Sequence, residues 1–221
     1  MTRWGVRIAR ALGSPLNILW LEHGGSDQVA SDLIWEPWGT SLLEQDPQWT
    51  HVEDALTDCG AMEINLCRAN CLSRHETALS VERALAPDLI VVGRHDSARD
   101  GSMTGKLARE ILDDAHCPVL VLRLGSFNIE ENTCSSILVP CAGGSHSRFG
   151  MKLAAKMAGH EATAFYIEAD TDELSLEVGN EHLRRAIARA GVSSDEINPK
   201  VVLSDSISAA IKTEVNSGQY G

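Results

Sequence analysis

Asp88-Leu89-Ile90-Val91-Val92-Gly93, a loop carrying Gly101, then Gly105-Lys106-Leu107-Ala108-Arg109-Glu110-Ile111-Leu112 and Cys117-Pro118-Val119-Leu120-Val121-Leu122 decide the fold. The first block is a short, continuous apolar run ending in glycine. It reads as a strand buried on both faces of a parallel sheet. Helical spacing follows over 104–115, and 117–122 reads as a second buried strand. Strand, crossover helix and strand make a βαβ unit, and such units build a parallel, doubly wound sheet.

The same alternation extends toward the N-terminus. A helix is expected over 3–12, a strand over 16–22, a helix near 50–59, a strand over 62–68 and a helix over 73–85. Pro87 ends that last helix, because proline disfavours the helical conformation in the residue before it. Trp35, Trp38 and Trp49 lie in an irregular segment and are expected to cover an edge of the core. Toward the C-terminus, 125–135 is a polar linker. Beyond it come a strand at 137–141, a helix at 147–158 that Ser147 is expected to cap, and a strand at 162–168. A helix at 173–190, a strand near 199–203 and a helix near 205–216 follow.

An internal repeat organises these elements. Trp4-Gly5-Val6-Arg7-Ile8-Ala9 is echoed by Phe149-Gly150-Met151-Lys152-Leu153-Ala154. Each is followed by an apolar run ending in glutamate, Leu16 to Glu22 and Ala162 to Glu168. The repeat predicts two copies of one domain: 1–124, lacking its first strand, and 136–221, lacking its last strands. A fragment of a longer tandem protein is one expectation. Donation of the second copy's first strand to the first copy is the alternative.

Composition narrows the function. The chain has 221 residues and a formal net charge of −12, which repels a phosphate backbone and argues against nucleic-acid binding. No apolar run is long enough to span a membrane, and no signal-peptide core is evident, so a cytoplasmic location is expected. The six cysteines, at 59, 67, 71, 117, 134 and 141, lack the paired spacing of a metal site and read as reduced, buried thiols.

The segment from Asp88 through Val121 resembles the universal stress protein family. The resemblance implies adenine-nucleotide alpha-hydrolase-like (Rossmann-like) domains in tandem, each a five-strand parallel sheet between helices. It implies ATP as the ligand, with Mg²⁺ accompanying it. The family's phosphate loop is a glycine, two residues, a second glycine, nine residues, then glycine and a hydroxyl residue. Gly93 matches the first glycine, Asp96 stands at the second, and Gly105 comes one residue early. Lys106 replaces the hydroxyl residue. Ala142 stands where the family's first strand places an aspartate.

The loop after Gly93 is also a candidate site on physical grounds. Ligands of open α/β sheets sit beyond the carboxyl ends of strands. A helix N-terminus there favours phosphate. Gly93, Arg94, Gly101, Gly105 and Lys106 are the expected contacts, with His95 and Arg99 adding positive charge. Ala142-Gly143-Gly144-Ser145-His146-Ser147 is a second glycine turn between strand and helix. It is similar to the loop of N-type ATP pyrophosphatases, although a turn that packs the helix is the plainer reading.

No catalytic constellation stands out. Asp113 and Asp114 are expected to be solvated, and Arg184, Arg185 and Glu181 to form an exposed salt-bridged face. The expected function is a non-catalytic, nucleotide-responsive or stress-linked binding module. It would self-associate through a sheet edge or as a tandem pseudo-dimer. The departures at Asp96, Lys106 and Ala142 set a second expectation: a regulatory domain that binds no nucleotide and acts through protein contacts, as in the soluble tail of a transporter. An enzyme of the pyrophosphatase type is the third.

Overall fold

The computed structural model describes residues 2–24, 28, 30–40, 50–56, 60, 62–93, 105–123, 136–169, 173–217 and 220. The expected linker, 125–135, lies outside them. The chain divides into two compact units, Met1–Ser126 and Phe127–Gly221.

The first unit runs α1 (Thr2–Leu12), β1 (Leu16–His23), a 3₁₀ turn (Ala30–Asp32), β2 (Glu36–Pro37), α2 (Thr50–Leu56) and β3 (Ile64–Cys71). It continues with α3 (Arg74–Leu85), β4 (Ile90–Gly93), α4 (Lys106–Asp114) and β5 (Val119–Leu122). The second unit runs β6 (Ile137–Pro140), α5 (Ser145–Ala158), β7 (Ala162–Glu168), α6 (Glu173–Ala190), β8 (Asn198–Leu203) and α7 (Ile207–Val215). Apart from β2, which joins β3 antiparallel, every strand pairing is parallel. The α/β class is therefore as expected.

Local chemistry sets several boundaries. Ser73 starts α3, its Oγ accepting from the Glu76 amide at 3.3 Å. Ala86, before Pro87, leaves the right-handed helical region for φ 45° and closes α3 through its N–H to the Glu82 carbonyl. Apolar spacing decides what is buried: Val6, Val52, Leu56, Ile64 and Leu66 form one core, with Trp38 packed against it. Trp38 thus covers the core as expected, while Trp49 lies outside the described residues. The second unit's core gathers β7, α5 and α6 around Met151, Ala164, Leu183, Ile187 and Ile197.

Four expectations need correction. Among the described residues the first unit carries two sheets, β1-β3-β2 and β4-β5. Ile90, Val91 and Val92 of β4 are half-buried and not fully covered. The second unit's first strand, β6, pairs with β7 in its own unit and is not donated. Ser147 does not cap α5: the helix begins two residues earlier, after Gly144, and the Ser147 hydroxyl donates back to the Gly144 carbonyl at 3.0 Å. Asp114 is exposed but has a partner, His75, at 2.9 Å.

Candidate functional site

The first candidate site begins at the carboxyl end of β4. Gly93 ends the strand and is exposed. Arg94, His95, Asp96, Arg99 and Gly101 lie outside the described residues. The chain re-enters at Gly105, which precedes α4 with φ 73° and ψ 159°. A Cβ at Gly105 would meet nothing within 4 Å, so conformation and not space requires glycine there. Glycine also has no side chain with which to cap α4. The positive end of the helix dipole faces the loop side, where it favours an anion.

The rest of α4 is anchored. Ala108 and Ile111 are buried. At its far end Asp114 pairs with His75 of α3. The buried Glu82 of α3 accepts the His116 amide at 3.1 Å. Lys106 is lightly held: its side chain is 87% exposed and its Nζ stands 3.7 Å from Glu110 Oε1. An exposed pair of this kind is worth only about 0.3–0.5 kcal/mol, too little to hold the lysine from a phosphate. Of the five expected contacts, the structure brings Gly105 and Lys106 together at the helix start and places Gly93 at the strand end.

The second candidate lies at the carboxyl end of β6. Gly143 takes φ 79°, and Ala142 through His146 are exposed. With its hydroxyl turned to Gly144, Ser147 is not poised as a nucleophile. The Cys141 thiol donates to the Val139 carbonyl at 3.0 Å, and burial pushes it up to about 11. Burial, helped by Glu36, likewise pushes Cys67 up to about 11. These thiols are protonated and inert at neutral pH. Sequence reading passed over Arg148, in the first turn of α5. Its Nε is buried and has no hydrogen-bond partner among the described residues. A base one turn after a Gly-Gly turn was the available signal.

A shallow surface depression among the described residues lies elsewhere. It measures about 390 Å³ and is lined by Arg10, Ser14, Pro15, Met62 and Glu63. It sits at the amino ends of β1 and β3, opposite the end where ligands of such sheets bind. Among the described residues no three His, Cys, Asp or Glu side chains converge as a metal site.

Against known proteins, the sequence model of the universal stress protein family matches residues 73–123. Residues 73–123 belong to the universal stress protein family. This segment runs from the cap of α3 through β5 and includes the Gly93–Gly105 loop. Among solved structures, one named provisionally as a universal stress protein, from Pseudomonas aeruginosa UCBPP-PA14, aligns with a TM-score of 0.53 and 17% identity. The alignment covers 97% of this chain and 72% of that one, and at this identity it shows a shared fold. No curated protein matches the chain significantly. No helix among the described residues is long and apolar enough to cross a membrane.

Proposed function

We propose that this universal-stress-type protein is a non-catalytic, nucleotide-responsive binding module, with ATP and Mg²⁺ as ligand and counter-ion. The observation that carries the reading is the start of α4, whose cap residue, Gly105, has no side chain to turn onto the first-turn amides. Gly105 there adopts a glycine-specific conformation at the end of the loop that leaves β4, inside the family segment. Gly93, Arg94, Gly101, Gly105 and Lys106 would contact the phosphates. The backbone amides and Lys106 supply charge complementarity.

A second reading is a regulatory domain working through protein contacts. What favours it is Lys106, largely exposed and beside Glu110 where the family carries a hydroxyl residue. Isothermal calorimetry with ATP, with and without Mg²⁺, separates the two when product is followed in parallel. Heat without turnover supports the nucleotide reading. No heat at millimolar ATP overturns it in favour of the second.

A further inference from the structure

By the internal repeat and the element order, β1 and β3 of the first unit correspond to β7 and β8 of the second. The connections after β1 and β7 differ. Residues 24–49 separate β1 from α2, whereas 169–172 separate β7 from α6. The described part of the longer connection wraps the outer edge of β3. Leu16 donates to the Glu63 carbonyl at 2.9 Å, and Gly24 to the Cys71 carbonyl at 3.1 Å. The odd-numbered residues of β3 therefore turn their N–H and C=O groups toward β1. Successive residues of a strand alternate sides, so Ile64, Leu66, Arg68 and Asn70 turn theirs outward. The connection meets that outward row along its length. Trp38 donates to the Ile64 carbonyl at 2.9 Å, and Glu36 lies opposite Leu66. Gln28 holds Asn70 twice: its N–H donates to the Asn70 carbonyl at 3.4 Å, and its Oε1 accepts from the Asn70 amide at 2.8 Å. A further tie runs to α3, where the Ala30 amide donates to Ser80 Oγ at 3.2 Å.

The second unit manages the matching edge differently. No strand pairs with the outer edge of β8 among the described residues. Ser204 donates to the Glu168 carbonyl at 3.0 Å, so the even-numbered residues of β8 face β7. Pro199, Val201 and Leu203 face out. Proline has no N–H, and Pro199 removes a donor that an incoming strand would use. The outward row of β3 contains no proline, and there the connection supplies the cover. Its hold is light. The β2 ladder is two residues long, and Ile34 just before it is 74% exposed. Trp38 is its contact with the core of Val6, Val52, Leu56, Ile64 and Leu66. A short ladder with few buried contacts opens at low free energy.

We propose that residues 28 and 30–38 form a strap that guards the edge of β3 against strand addition, with Trp38 as its anchor, and that release of the strap opens β3 to pairing with the β3 of a second copy of this chain. The edge itself selects that occupant. The strap runs antiparallel to β3, the direction in which a two-fold-related β3 would arrive. A two-fold at Cys67 sets Ile64 opposite Asn70 and Leu66 opposite Arg68. Outward-turned residues then meet outward-turned residues, and no like charges oppose each other. The inference does not depend on nucleotide binding.

The test uses two variants of the full chain. Trp38→Ala removes the anchor. Glu36→Pro removes an N–H that the alternation turns toward β3 and leaves the core side chains in place, so it reads the same point should loss of Trp38 unfold the unit. In dilute solution the Leu66 and Asn70 amides are expected to exchange about tenfold faster than in the unaltered chain, while Cys67 and Ala69, turned to β1, change little. Molar mass by light scattering is expected to rise with concentration toward twice that of the unaltered chain. Pro37 and Asn65 lie opposite each other as a non-hydrogen-bonded pair. Adding Pro37→Cys and Asn65→Cys should close the strap by a disulfide and restore the unaltered mass until reductant is added. No rise in mass in either variant overturns the inference. So does loss of protection along the whole of β3, which would make the strap part of the fold and not a guard over it. Association that persists with the disulfide closed overturns it as well.

Discussion

Gly105 was visible in the sequence as a glycine before a helix, but its reason was not. Helix–strand packing and close phosphate approach were the readings available. The structure shows open space around it and a backbone conformation that only glycine adopts readily. Gly105→Ala is therefore expected to cost about 1–3 kcal/mol, read as a lower urea midpoint, although no atom clashes. Gly144 is the contrast. Its φ of −73° suits any residue and its Cβ position is open, so Gly144→Ala should be close to neutral. Gly179 fails for the opposite reason. A Cβ there would stand 2.9 Å from Val201 Cγ1, where α6 crosses β8. Gly179→Ala should destabilise by about 1–3 kcal/mol through overpacking. None of these distinctions is carried by the letter G.

At the scale of elements, most helices and strands were legible because apolar period and turn residues agree. The boundaries moved where pairing decides them. β4 begins at Ile90 and not Asp88, since its first ladder bond is the one from Ile90 to Pro118. Apolar content alone also overstated the burial of β4, because burial depends on neighbours that a local pattern does not encode. The tie between β8 and α7 was not legible at all. Glu214, buried on α7, accepts Lys200 Nζ of β8 at 2.7 Å and the Tyr220 hydroxyl at 2.8 Å. The Lys200 hydrogen bond is the largest influence on its carboxyl and, with Tyr220, holds it below the ordinary 4.5 against the opposing effect of burial. A carboxyl with a lowered folded value stabilises the fold above its unfolded value and ceases to as pH falls through the folded one. The urea midpoint of the second unit should thus fall as pH drops below 4.5. Lys200→Met should flatten that dependence, as followed by tyrosine fluorescence.

At the scale of the whole molecule, the division into two α/β units was readable in the sequence. The splitting of the first unit's strands into two sheets among the described residues, β1-β3-β2 and β4-β5, was not readable. The two units should differ in stability for this reason. The second unit has one sheet with β7 paired on both sides and buried along Ala162–Phe165. In the first, β1 and β4 each lack a neighbour on one side among the described residues, and the apolar run of β4 is half-exposed. The aromatic residues allow the difference to be read directly. All five tryptophans lie between residues 4 and 49, in the first unit, and both tyrosines, 166 and 220, lie in the second. Tryptophan emission should therefore shift at a lower urea concentration than the tyrosine signal, with far-UV ellipticity falling in two steps. Coincident transitions for the two probes would instead mean that the units unfold as one, and that the open edges of the first cost it nothing measurable.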